Sequence, residues 1–202
     1  MIKLYFGSPG SGKTTLACKL AILGKKYYRH CVCNFEQSVE GVYTDDMKDL
    51  GKYVYPGDTL VIIDEAGIQY NNRNFTSFPQ RLVSYFKKHR HYDNDIILFS
   101  QSWEDTDITI RRLVDELWYL QKFGPFTISR KVKKFVTVNE TDYQIINGYK
   151  FESPFWSFLP RPFRRQTITF SYRPKYYQYF DSWSNDDNLP LYDFSKGKVV
   201  DV

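Results

Sequence analysis

An α/β fold with a mostly parallel sheet flanked by helices is what this sequence predicts, on three observations. Short apolar runs alternate with helix-period segments through the first 122 residues, as they do in β-α-β units. The first run feeds a glycine-rich loop that opens a helix. The third run ends on two adjacent acids, where open α/β sheets carry their ligands.

Taken in order, Ile2 to Phe6 reads as a buried strand. From Lys13, the positions Leu16, Leu20 and Leu23 recur at helical spacing and Gly24 stops the helix. His30 to Phe35 is a second strand and Asp45 to Leu50 a short helix. Thr59 to Asp64 is a third strand, announced by the Pro56-Gly57-Asp58 turn. Ser77-Phe78-Pro79 starts the next helix, with serine as cap and proline in the first turn. Phe78, Leu82, Tyr85, Phe86 and His89 mark its apolar face. Asp95 to Gln101 is a fourth strand, Asp107 caps a short helix through Leu113, and Glu116 to Lys122 is a fifth strand. Beyond it, Phe126 to Val138 and Tyr143 to Phe151 read as paired strands, followed by a proline-broken aromatic tail. The expected division is a core over 1–122 and a β-rich appendage with its aromatic tail over 123–202, packed on that core.

Composition excludes several classes. Hydrophobic residues at 42% and charged residues at 25% of 202 rule out a disordered chain. A chain of this length buries roughly 70% of its unfolded surface, so it needs neither disulfide nor metal to hold a core. The mean hydropathy of −0.50, and runs far short of the ~20 apolar residues of a spanning helix, predict no transmembrane segment. Cys18, Cys31 and Cys33 form no CxxC pair and read as buried free thiols in a reducing compartment. The net charge of +5 permits an acidic partner without requiring one.

Gly7-Ser8-Pro9-Gly10-Ser11-Gly12-Lys13-Thr14 matches the phosphate-binding loop (P-loop, or Walker A) pattern G-x-x-x-x-G-K-[ST] in full. Glycines let consecutive backbone N–H groups turn inward around phosphates, and the helix N-terminus adds its positive dipole end. Gly7, Ser8, Pro9, Gly10, Ser11, Gly12, Lys13, Thr14 and Thr15 are therefore the expected nucleotide-binding residues. Lys13 would bridge the β- and γ-phosphates, and the Thr14 hydroxyl would hold Mg²⁺.

Leu60-Val61-Ile62-Ile63-Asp64-Glu65 supplies the next part, a Walker B strand. Asp64 is expected to hold Mg²⁺, and Glu65 to take a proton from, or orient, a water attacking the γ-phosphate. The apolar run Ile96 to Phe99 ends in Ser100-Gln101, either of which would sense the γ-phosphate or position water. Arg90, Arg111 and Arg112 are candidates for an arginine finger acting on a neighbouring subunit, because guanidinium matches the charge spread over a transferring phosphoryl group.

Together, Gly7 to Thr15, Val61 to Ala66, His89-Arg90-His91, Asp95 to Leu98 with Ser100-Gln101, and Ile110-Arg111 resemble the zonular occludens toxin (Zot) domain, a family that includes assembly and export ATPases of filamentous phages. The resemblance covers roughly residues 1 to 125. It implies a P-loop NTPase of the additional-strand ATPase type, with the sensor strand between the loop strand and the acidic strand. It further implies an ATP- and Mg²⁺-dependent homo-oligomeric motor, a hexameric ring in its expected form, that helps assemble, export or package single-stranded DNA phage. Glu65, Lys13, Gln101 and Arg111 become the expected catalytic residues, and Thr14 and Asp64 the metal ligands. The implied partners are single-stranded DNA and phage coat or membrane assembly proteins. The implied location is the host cytoplasm, peripheral to the inner membrane. Family members usually continue into a membrane-spanning helix and an outer domain; no such helix is read here.

Between Lys122 and Lys175 stand eleven Lys and Arg against three acids, among many aromatic residues. That mixture suits single-stranded nucleic acid, and equally anionic lipid or a coat protein. Two other functions use the same loop: a nucleoside or polynucleotide kinase, and a nucleotide-binding protein without turnover. The adjacent Asp64-Glu65 pair favours water as the phosphate acceptor.

Overall fold

A computed structural model describes residues 1–47, 50–66, 80–138, 145–159, 166–180, 191–193 and 198–200. The strands are β1 (Ile2–Phe6), β2 (His30–Cys33), β3 (Tyr43–Thr44), β4 (Thr59–Ile63), β5 (Asn94–Ser100), β6 (Glu116–Phe123), β7 (Phe126–Val138), β8 (Ile145–Phe151) and β9 (Ile168–Tyr172). The α-helices are α1 (Lys13–Gly24), α2 (Gln80–Lys88), α3 (Ile108–Leu113) and the single turn α4 (Phe155–Phe158), and a 3-10 helix spans Arg173–Tyr179.

These nine strands form one sheet in the order β3-β2-β4-β5-β1-β6-β7-β8, with β9 also on β7, and Leu191–Asp193 pairs antiparallel with Lys198–Val200 as a separate two-stranded sheet. From β3 to β6 every pairing is parallel. β5 thus lies between the loop strand β1 and the acidic strand β4, the arrangement of the additional-strand type. The chain has a P-loop NTPase fold. Beyond β6 the sheet continues antiparallel through β7, whose far side takes β9 on its first half and β8 on its second.

Parallel strands covered on both faces read as continuous apolar runs, and all five residues of β4 are buried. Ile2, Leu4, Val61, Ile63, Ile96 and Leu98 point to one face, under Leu82, Tyr85 and Phe86 of α2 and Ile110 of α3. Tyr5, Leu60, Ile62, Ile97, Phe99 and Trp118 point to the other, under α1. The Asp107 carboxylate caps α3 by accepting from Thr109 N at 2.6 Å, as its position before an apolar run predicts.

Two local expectations are corrected. The sequence reads Leu16, Leu20 and Leu23 as the buried stripe of α1, yet Leu23 is 38% exposed and the buried positions are Leu16, Ala17, Cys18, Ala21 and Gly24. Small residues let the helix lie close on the sheet: a Cβ on Gly24 would meet Leu60 Cδ2 at 2.5 Å. Asp45 to Met47 are not helical. The Asp45 carboxylate instead accepts from Tyr53 and Tyr55 hydroxyls at 2.5 and 2.6 Å and from Met47 N at 3.2 Å, a local competition that draws Asp into turns. The helix start at Ser77-Phe78-Pro79 lies outside the described residues, as do Tyr143, Arg161, Arg164 and Arg165.

His89 closes α2 against the sheet, with Nδ1 2.7 Å from the Phe86 carbonyl. Burial holds its pKa below the ordinary value, although the Phe86 carbonyl hydrogen bond favours the charged form. The unfolded chain therefore protonates His89 first, from about pH 6.5 downward. Its contribution is complete above that pH and is lost as pH falls toward the folded pKa. We expect the urea midpoint to drop between pH 7.5 and 5.5, and His89→Gln, which can still donate to Phe86, to flatten that drop. An equal pH dependence in the variant would refute the assignment.

Candidate functional site

The loop between β1 and α1 is shaped by backbone that few side chains allow. Gly10 and Gly12 have φ of +74° and +92°, the region glycine enters without a Cβ penalty. Gly12 is the N-cap of α1 and accepts from Leu16 N at 3.0 Å. Gly7 N donates to Ser100 O at 3.2 Å, tying the loop to the end of β5. Ser11 is buried and its Oγ has no hydrogen-bond partner.

Lys13 Nζ donates to the Gly7 and Ser8 carbonyls at 2.9 and 3.3 Å, folded back across the loop. Burial lowers its pKa, opposed by the charges of Asp64 and Glu65. A triphosphate in the loop would relieve that desolvation by supplying negative charge.

β4 delivers the acids. The buried Asp64 accepts from Thr14 Oγ1 at 2.7 Å through Oδ2 and from Glu65 N at 2.9 Å through Oδ1. Burial raises its pKa, while the Thr14 and Glu65 hydrogen bonds and Lys13 pull it back. A buried carboxylate beside a hydroxyl is a hard-oxygen pair of the kind Mg²⁺ takes, usually with phosphate oxygens and water completing the shell. Thr14 and Asp64 therefore fit the ion. Glu65 follows in a left-handed conformation, φ +50°, a strain that non-glycine residues carry mainly where surrounding structure or function imposes it.

Lys13, Thr14, Glu65 and Gln101 line one cavity of about 650 Å³ with Pro9, Gly10, Gly12 and Thr15. The sequence-expected residues Lys13, Thr14, Asp64, Glu65 and Gln101 are thus brought together at the carboxyl edge of the parallel strands. Ser100 is fully buried, whereas Gln101 is exposed at the strand end.

Gln101 also borders a second cavity, of about 480 Å³, which is lined by Gly7 and Ser8 of the loop and walled by Phe6, Trp103, Tyr119, Tyr149 and Phe151. Arg111 belongs to this side: its guanidinium lies over the Trp103 ring at 5.7 Å, and it does not line the phosphate cavity. Arg90 pairs with Asp115 at 2.7 Å on the surface. Part of the basic stretch is engaged within the chain, with Lys131 on Glu116 at 2.6 Å and Arg130 over Phe151 at 4.1 Å.

Sequence reasoning misses several neighbours of the loop. Asn34 clamps Asp64 from both sides, accepting from its N at 2.6 Å and donating to its O at 2.9 Å. Its signal was its place one residue past β2, whose Cys33 pairs with Ile62. Thr127 of β7 donates to Ser11 O at 2.9 Å from a fully buried position. Arg173, Tyr177 and Phe180 complete the phosphate cavity from the far end of the chain. Arg173 counts among the basic residues of the 122–175 stretch, but nothing local tied it or the other three to the loop.

A family profile described as zonular occludens toxin (Zot) matches residues 43–159. The fold is similar to the N-terminal domain of zonular occludens toxin from Neisseria meningitidis, with 19% identity, 77% of this chain and 96% of that chain covered, and a TM-score of 0.50. It is also similar to the genome packaging NTPase B204 from Sulfolobus turreted icosahedral virus 2, at 14% identity, coverage of 72% and 95%, and a TM-score of 0.49. The flagellar accessory protein FlaH from Methanocaldococcus jannaschii gives 13% identity, coverage of 75% and 89%, and a TM-score of 0.45. No match is found among curated proteins. Among the described residues no helix is long and apolar enough to cross a membrane.

Proposed function

The chain belongs to the zonular occludens toxin (Zot) family, and from that premise we propose that it is a Mg²⁺-dependent ATP-hydrolysing motor assisting the assembly, export or packaging of single-stranded DNA phage. The observation that carries the reading is the 2.7 Å bond from Thr14 to Asp64, at a cavity that Lys13, Glu65 and Gln101 also line. Loop, metal-binding oxygens and a solvent-exposed acid converge there as hydrolysis of a triphosphate requires.

In this proposal the loop amides and Lys13 bind the β- and γ-phosphates, and Lys13 exchanges its two carbonyl partners for phosphate oxygens. Thr14 and Asp64 would hold magnesium, which would supply neutralising charge to the phosphates. Glu65 accepts the proton of the attacking water. Gln101, tethered to the loop strand through the neighbouring Ser100 carbonyl, orients that water or senses its product. Arg111, on the aromatic side, serves the site of an adjacent subunit in a homo-oligomeric, hexameric ring. Single-stranded DNA and phage coat or membrane assembly proteins are the proposed partners, at the cytoplasmic side of the host inner membrane.

The test is phosphate release from ATP measured against protein concentration, with and without single-stranded DNA. Shared catalysis predicts that activity per molecule rises with concentration and rises again with DNA. Phosphate found on an added nucleoside or polynucleotide, rather than free, would assign a kinase. Intact ATP after a single-turnover incubation at every concentration would assign a binding protein without turnover.

A further inference from the structure

We propose that the 3-10 helix Arg173–Tyr179 and the following Phe180 form the wall that receives the base and sugar of the bound nucleoside triphosphate, with Tyr177 and Phe180 packing on the base. This rests on the ATP-binding reading above and assigns the part of the ligand which the loop does not hold.

The loop sets the ligand's direction. Lys13 serves the β- and γ-phosphates and the amides toward the start of α1 serve the α-phosphate, so sugar and base emerge beyond Thr15, away from Glu65 and Gln101. The cavity continues that way, from Gly12 and Thr15 to Arg173, Tyr177 and Phe180. Its volume of about 650 Å³ lies within the range typical of small-molecule and cofactor sites, roughly 300–1,000 Å³.

The wall has the chemistry of a base platform. Tyr177 lies in the 3-10 helix and Phe180 directly follows it, and their ring centroids are 6.5 Å apart with planes at 75°. The two rings make a corner, and Tyr177 is 49% exposed within it. Arg173 reaches the loop itself, its Cδ 2.9 Å from where a Cβ on Gly12 would sit, and its Nε is buried without a partner. A cation beside the cradle and a flat apolar surface beyond it match the order of charge and ring in a nucleotide.

The wall is held in place before any ligand arrives. Arg173 N and Nη2 donate to Pro125 O at 2.9 Å and Gly124 O at 2.6 Å. Lys19 of α1 donates to Phe170 O at 2.9 Å and Ser171 Oγ at 2.8 Å. At the other end Ser38 N donates to Tyr179 O at 2.9 Å. A surface fixed at three points costs little further ordering on binding.

Calorimetric affinities for Mg-ATP and for Mg-tripolyphosphate, which lacks sugar and base, test the proposal. Tyr177→Ala and Phe180→Ala should each weaken ATP about 10-fold, the size of a lost base–aromatic stack, and leave tripolyphosphate unchanged. Tyr177→Trp should retain ATP affinity, and Lys13→Ala should weaken both ligands. Unchanged ATP affinity in both alanine variants, or equal losses for ATP and tripolyphosphate, would overturn the wall and leave the loop assignment standing. A wild-type protein that binds neither ligand would overturn the ATP reading, and the wall with it.

Discussion

Replacing Glu65 with glutamine should leave ATP bound and uncleaved, with turnover down by about 10²- to 10⁴-fold, the usual worth of a positioned general base. Glu65 is exposed and lines the phosphate cavity, so losing its charge creates no buried vacancy. Glutamine has the same shape and adapts no worse to the left-handed backbone at φ +50°. The backbone N–H of residue 65, which donates to Asp64 at 2.9 Å, is kept whatever the side chain. ATP affinity should therefore be held or slightly improved, since one negative charge near the phosphates is gone. Phosphate release in single-turnover mixing, alongside calorimetric ATP titration, reads both quantities. A variant that hydrolyses at the parent rate would remove Glu65 from the reaction.

The second large effect is expected at Gly12. A methyl group there would stand 2.1 Å from Thr127 Oγ1 and 2.9 Å from Arg173 Cδ, with φ at +92°. Left-handed backbone alone costs an alanine about 1–2 kcal/mol. The threonine cannot swing aside freely, because it is fully buried and bonded to Ser11 O at 2.9 Å. Relief must come from the loop itself, whose amides then miss the phosphates. Gly12→Ala should lower the melting temperature and weaken ATP more than 10-fold. Gly12→Ala with Thr127→Ala, which removes the 2.1 Å clash but neither the Arg173 contact nor the backbone strain, should recover part of both. A single variant with parent affinity, or a double variant with no recovery, would show that β7 does not brace the loop.

Much of this fold was legible because its signals are local. β1 and β7 fall at the residues the apolar pattern marks, and Asp107 caps α3 where a lone acid precedes an apolar run. Lys13, Thr14, Asp64, Glu65 and Gln101 could be named early because each sits at a strand end or in a spaced motif. The misreadings follow from the opposite circumstance. The face of α1 turns on how closely Gly24 and Ala21 approach the sheet, which side-chain hydrophobicity does not encode. Asp45 looked helical until two tyrosines eight and ten positions away engaged its carboxylate. Thr127 and Arg173 touch the loop across more than a hundred residues of chain, so only the assembled sheet brings them there.

The place of β1 in the sheet has a consequence for how the chain is born. Of the strands in this sheet the first to be synthesised is an interior one, and its neighbours arrive far later, with Ile2 against Ile96 and Lys3 against Glu116. Pairings so distant in sequence are slow to close. Until about Ser100 has emerged β1 has unpaired amide edges on both flanks, and until about Tyr119 on one, the state that chaperones shield and that aggregates most readily.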